Sequence, residues 1–164
     1  MNKIILGLAA FLLLASTGAV AQDGKLEVTA VVEKETTVVN EAGEKRVELT
    51  EVQKVVPGDV VVYTVSYRVV TDAADGEAVE NIAISYPIGE ELTYMADSAY
   101  APGAEITFSV DDGVSYAALE ALTVDRDGVV SAATSDDLTH IRWAVPGELP
   151  PGSRGFARFK ARVN

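Results

Sequence analysis

Val60-Val61-Val62-Tyr63-Thr64-Val65-Ser66-Tyr67-Arg68-Val69-Val70 is the stretch whose reading decides the fold. β-Branched and aromatic side chains fill it, and no Gly or Pro interrupts it. Such residues lose rotamer freedom in a helix and pack well on a pleated surface, so the run is expected to be a strand. Its apolar residues are consecutive at the start rather than alternating, which places it centrally, buried on both faces there. Pro57-Gly58-Asp59 precedes it as the turn that launches it.

Toward the N-terminus, Thr36 to Val39 and Lys45 to Val56 read as strands flanking an Asn40-Glu41-Ala42-Gly43 turn, where Asn and Gly tolerate positive φ. From Leu26 the period is two: Leu26, Val28, Ala30 and Val32 face one way, Glu27, Thr29 and Glu33 the other. Before that lies an export signal. Lys3 supplies the basic n-region, Ile4 to Ala15 is uncharged, and Ala19-Val20-Ala21 fits small-x-small cleavage with Gln22 as the new first residue. The apolar stretch is too short for a good membrane span.

Toward the C-terminus, Asp72 to Gly76 is a small-polar connector into a strand over Val79 to Tyr86, stopped by Pro87. Leu92 to Met95 and Glu105 to Val110 continue the β pattern, with Ala101-Pro102-Gly103-Ala104 turning the chain between them. Asp111-Asp112-Gly113 and Asp125-Arg126-Asp127-Gly128 are hairpin signals. Only Tyr116 to Leu122 has any helical character, and it is short and uncapped. Leu138 to Val145 and Gly155 to Val163 are the last strands, separated by Pro146-Gly147 and Pro150-Pro151-Gly152. Alternation sends Ile141, Trp143 and Val145 inward and His140 and Arg142 outward. In the final strand Ala157, Phe159, Ala161 and Val163 are expected inside, with Arg158, Lys160 and Arg162 in a row outside. Trp143 is expected between two sheets with an acceptor for its indole N–H. Some eight to ten short strands with turns at near-regular spacing predict an all-β, immunoglobulin-like sandwich, one domain over residues 22–164 behind a cleaved signal at 1–21.

The chain carries 13 basic and 25 acidic side chains. Removing residues 1–21 takes away only Lys3, leaving 12 against 25, a formal charge of −13. That balance repels nucleic acid and anionic headgroups. A chain of this size buries roughly two-thirds of its unfolded surface, enough for one domain without staples. No cysteine is present, which excludes a disulfide framework, a thiol nucleophile and a thiolate metal site. Nothing visible after signal removal would tie the chain to a membrane.

Several ordered segments resemble the secreted conserved-repeat family catalogued as domain of unknown function eleven. They are Val56-Pro57-Gly58-Asp59 followed by Tyr63-Thr64-Val65, Tyr86-Pro87-Ile88 leading to Leu92-Thr93-Tyr94 and Ser98-Ala99, and Phe108-Ser109-Val110-Asp111-Asp112-Gly113. Thr139-His140-Ile141-Arg142-Trp143 and Leu149-Pro150-Pro151-Gly152 complete the set. The resemblance covers about residues 50–164, implies an immunoglobulin-like sandwich and brings no catalytic residues with it. No internal repeat accompanies it.

Chemistry-bearing residues are sparse. His140 is the sole histidine, and no serine or aspartate stands in a nucleophile-elbow context, so a hydrolase is a distant reading. Asp111, Asp112, Asp125 and Asp127 are calcium candidates if their loops converge, with Asp136-Asp137 adding more. The run after Asp125 nevertheless lacks the EF-hand ligand at position five, glycine at six and glutamate at twelve, and hairpin turns account for the same residues. Glu90-Glu91 are chain neighbours that point apart, the wrong geometry for a glycosidase pair. Tyr94 and Tyr100 are loop candidates for a carbohydrate- or protein-binding face. Charge is segregated: Arg154, Arg158, Lys160 and Arg162 give residues 154–164 a charge of +4, while 22–153 carry 8 bases against 25 acids. That basic edge is expected to be balanced within the fold, or to attract another copy.

No catalytic residue and no cofactor is assigned. The expected role is a non-enzymatic exported module, periplasmic, cell-surface or extracellular, whose partners are proteins or glycans of the envelope. The alternative is a subunit that self-assembles into a filament or matrix, donating the strand Leu26, Val28, Ala30, Val32 to a neighbour, with Arg158, Lys160 and Arg162 setting polarity.

Overall fold

A computed structural model describes residues 26–70 and 78–164; the signal expected at 1–21 and the connector Asp72 to Gly76 lie outside them. Ten strands are present: β1 Leu26–Val39, β2 Lys45–Glu51, β3 Val60–Val69, β4 Val79–Pro87, β5 Leu92–Tyr94, β6 Glu105–Ser109, β7 Thr123–Arg126, β8 Val129–Ala132, β9 His140–Leu149 and β10 Arg154–Val163. They form a five-stranded sheet in the order β2-β1-β3-β10-β5, a three-stranded sheet β4-β9-β6, and the small hairpin β7-β8. All named pairs are antiparallel. The protein is all-β and sandwich-like.

β3 is the middle strand of the larger sheet, as its composition requires. Val61, Tyr63, Val65 and Val69 are buried on its inner face, joined from β10 by Ala157, Phe159 and Ala161. Val79, Ile82, Ile84, Phe108, Ile141 and Trp143 of the other sheet close the same cluster. Phe159 stands at its centre: its ring stacks on Tyr63 at 4.9 Å and 8°, with Tyr86 and Trp143 each 6.0 Å away. Burial pushes the Tyr63 phenol up to about 12, because a phenolate there would lose its hydration. Val62 is 1 % exposed on the opposite face. It lies in register between Glu33 and Lys160, so β3 is indeed buried on both faces near its start.

The turns follow the local chemistry. Asn40 Oδ1 accepts from the N–H groups of Ala42 and Glu44, and Gly43 takes φ +79° to close β1 onto β2. Asp59 accepts from Val56 N–H at 2.8 Å and from Lys34 Nζ at 2.6 Å, fixing the turn before β3. Both hydrogen bonds stabilise the carboxylate, Lys34 foremost, and hold its pKa below the ordinary value.

Four expectations need correction. Leu26 to Val39 is one continuous strand rather than two, because nothing between Glu33 and Thr36 breaks an extended backbone. β9 does not stop at Pro146-Gly147. Those two residues face Asn81 alone in a bulge between Val145↔Ile82 and Glu148↔Glu80, and pairing continues to Leu149. A proline is tolerated there because a bulge leaves one residue out of the ladder. The strand expected over Lys45 to Val56 ends at Glu51, five residues early, whereas Tyr116 to Leu122, short and uncapped, holds only a 3-10 turn at Leu119–Ala121. Finally, Trp143 is wholly buried as expected, yet its indole N–H has no acceptor among the described residues.

Candidate functional site

The smaller sheet brings Ser109, Asp111 and His140 together at one end, a convergence that sequence spacing does not reveal. Ser109 and His140 are register partners on the outer face of β6 and β9. Their hydrogen bonds decide what the trio does. Ser109 Oγ donates to Asp111 Oδ1 at 2.6 Å and accepts from the N–H groups of Asp111 and Gly113, and the serine is fully buried. Asp111 also takes the hydroxyl and N–H of Ser115. His140 Nδ1 lies 3.3 Å from Thr139 Oγ1 instead of meeting Ser109. A triad needs the serine proton to face the imidazole, and here it faces the carboxylate. The hydroxyls of Ser109 and Ser115 lower the Asp111 pKa to about 2. The group is a loop clasp.

The calcium candidates are similarly placed in turns. Asp112 has φ +57° and donates its N–H to Thr139 Oγ1 at 3.0 Å. Asp125 Oδ1 accepts from Gly128 N–H at 2.7 Å, and Asp127 and Gly128 both take positive φ between β7 and β8. The hairpin signalled by this sequence thus closes with a two-residue turn, Arg126 pairing with Val129. Asp137 is held by Arg126 at 2.7 Å and accepts from Thr134 N–H, while Asp136 accepts from Thr93. Thus Asp111 and Asp112 occupy one turn and Asp125 and Asp127 another. Among the described residues no three acidic or histidine side chains gather as a metal-binding group.

Tyr94 is not a surface residue. It lies in β5, 3 % exposed, with its ring 5.1 Å from Phe108 and its hydroxyl accepting from Ala99 N–H. The strand period starting at Leu92 turns it inward. Tyr100 is 57 % exposed, and it bridges Arg158 on the free side of β10. Its ring stands 6.1 Å from that of Phe156, itself 36 % exposed.

These two rings mark the most distinctive surface. Arg154, Phe156 and Arg158 alternate along β10, so they share the outer face of the larger sheet opposite Arg68, Ser66 and Thr64. An open groove of about 490 Å³ runs between them, lined by Thr64, Ser66, Arg154, Phe156 and Arg158 with Tyr67 and Gly155 at its floor. Arg158 donates to Thr64 Oγ1 at 3.2 Å and lies 5.8 Å from the Phe156 ring. Neither Arg154 nor Arg158 has an ion-pair partner among the described residues. The third member of the expected basic row differs: Lys160 reaches across β3 to Glu35 at 2.5 Å. Arg162, next along, is exposed and faces Thr93 and Val60 in register.

Leu26 to Val32 is seated in its own sheet. Leu26, Val28, Ala30 and Val32 pair with Val69, Tyr67, Val65 and Tyr63, and the side chains of Leu26, Val28 and Val32 pack on the core. No protein-family model and no curated protein matches this chain.

Proposed function

We propose that this chain is a non-enzymatic, exported, immunoglobulin-like sandwich module of the cell envelope, akin to the conserved-repeat family that its motifs resemble. Its recognition surface is the groove between Arg154 and Arg158, and its partner is acidic, either a carboxylate-bearing glycan or an acidic protein segment. One observation carries this reading. Two guanidinium groups without carboxylate partners among the described residues, and two partly exposed rings, share one face of an otherwise strongly acidic domain. Guanidinium forks match carboxylates, and aromatic side chains with arginine are enriched where proteins recognise partners.

The facing sheets with a single shared core support the immunoglobulin-like assignment. Lys3, the uncharged run from Ile4 to Ala15, and Ala19-Val20-Ala21 support export. The bonding of Ser109 to Asp111 rather than His140 supports a role without catalysis. Calorimetric titration with an oligogalacturonate and with a glutamate-rich peptide tests the binding surface. A hydrogen bond to a charged group contributes about 1.5–3 kcal/mol, so Arg154→Ala with Arg158→Ala is expected to weaken binding at least tenfold or so. Absence of binding by either probe, or binding indifferent to the double substitution, rejects the groove. Sequencing the exported product tests the signal, with Gln22 the expected first residue.

A further inference from the structure

The β1–β2 hairpin leaves the body of the molecule. β3 supports β1 only from Leu26 to Lys34, so Glu35 to Val39 pair with β2 alone as a two-stranded ribbon. Such a ribbon is at best marginally stable without cover. Alternation puts Val39, Val47 and Leu49 on its outer face, and they are 56 %, 61 % and 38 % exposed. Between residues 35 and 51 stand Glu35, Glu41, Glu44, Glu48 and Glu51 against Lys45 and Arg46, a net of −3. The ribbon therefore exposes apolar side chains on one face and is net acidic through Glu35, Glu48 and Glu51, its tip being balanced by Lys45 and Arg46 against Glu41 and Glu44.

Both surfaces lie on the same face of one sheet, at opposite ends. Val31 stands opposite Thr64 of the groove, and Val47 stands opposite Thr37, six residues farther along β1. At about 3.3 Å per residue they are about 20 Å apart, too far to meet within one molecule. We infer that the outer face of the hairpin docks in the Arg154–Phe156–Arg158 groove of a second copy of this chain. Val47 and Leu49 cover Phe156 and Tyr100, and Glu51, exposed on the same face of β2, meets the guanidinium groups. This rests on the groove being a recognition surface and names its partner. It assigns assembly to the hairpin rather than to a donated Leu26–Val32 strand, which is already paired at home. Because both surfaces lie on one face, two copies meet either reciprocally about a two-fold axis or head to tail in a chain or ring.

Sedimentation velocity of the purified protein, from micromolar to near-millimolar concentration, reads the outcome with two double variants. Val47→Lys with Leu49→Lys disables the hairpin, and Arg154→Glu with Arg158→Glu disables the groove. The wild-type protein is expected to grow in mass with concentration, each variant alone to stay monomeric, and an equimolar mixture to stop at a heterodimer holding one of each. Phe156→Ser replaces the groove variant should circular dichroism show that Arg158→Glu disturbs the sheet. A wild-type protein monomeric throughout, a variant that still grows, or a mixture that stays monomeric overturns the proposal. A monomer that nevertheless binds oligogalacturonate through Arg154 and Arg158 loses self-association and keeps the groove; a monomer that binds neither probe loses both.

Discussion

Replacing Phe159 by alanine removes the side chain that both sheets share. The ring is fully buried, stacked on Tyr63 at 4.9 Å and flanked by Tyr86, Trp143 and Tyr94 at 6.0, 6.0 and 6.5 Å. A buried Phe→Ala change costs about 3–5 kcal/mol through lost transfer energy and the cavity left behind. The upper half of that range is expected here. β10 is clamped between β3 and β5, so the backbone has little room to collapse, and the stacked Tyr63 pair adds about 0.5–1.5 kcal/mol of geometry-specific attraction. Against a typical total of about 5–15 kcal/mol, this is a large fraction of the protein's stability. Phe159→Leu retains much of the burial and is expected to cost roughly half as much. Urea unfolding followed by Trp143 emission is the assay, since the indole is wholly buried and moves into water on unfolding. An alanine variant within about 1 kcal/mol of wild type, with an unchanged slope, refutes the claim that the two sheets share a core through this ring.

A Cβ at Gly155 would collide with the hydroxyl and ring of Tyr67. Gly155→Ala is therefore expected to cost about 1–3 kcal/mol by overpacking, and to cost little in a Tyr67→Ala background, which a double-mutant cycle measures. At the bulge, Asn81 holds φ +52°. Asn81→Val is expected to lose about 1–2 kcal/mol in chemical denaturation, because left-handed backbone penalises a β-branched side chain, whereas Asn81→Gly stays within about 0.5 kcal/mol. Asp111 ionises at about 2 in the folded protein against an ordinary 3.8, so the unfolded chain binds the proton first as pH falls. Its contribution is complete above about pH 4 and is lost as the pH drops toward 2. Denaturation curves across that window are expected to show a smaller loss for Asp111→Asn than for wild type, and parallel losses count against the Ser109 and Ser115 clasp.

The local rules were legible because they act over a few residues. Val60 to Val70 announces a central strand by its unbroken β-branched and aromatic run, Asp125 to Gly128 announces a hairpin, and alternation placed Ile141, Trp143, Ala157 and Phe159 inside. The errors have the same origin. Pro146-Gly147 carries the local signal of a turn, and only its pairing opposite Asn81 makes it a bulge inside a strand. Tyr94 has the composition of a loop aromatic, and only Phe108 arriving from the other sheet makes it core.

By itself, then, the sequence determined the β class, the turns and the inward faces, because backbone preference and side-chain period are properties of neighbouring residues. Tertiary structure alone decided which distant groups meet: that Lys160 answers Glu35 across β3, that Ser109 gives its proton to Asp111 while His140 stands beside Thr139, and that Arg154 and Arg158 frame a groove with Phe156. Those meetings depend on strand order and register. Many antiparallel arrangements satisfy the same alternation, and the choice among them is made by packing the two sheets around Phe159 and Trp143.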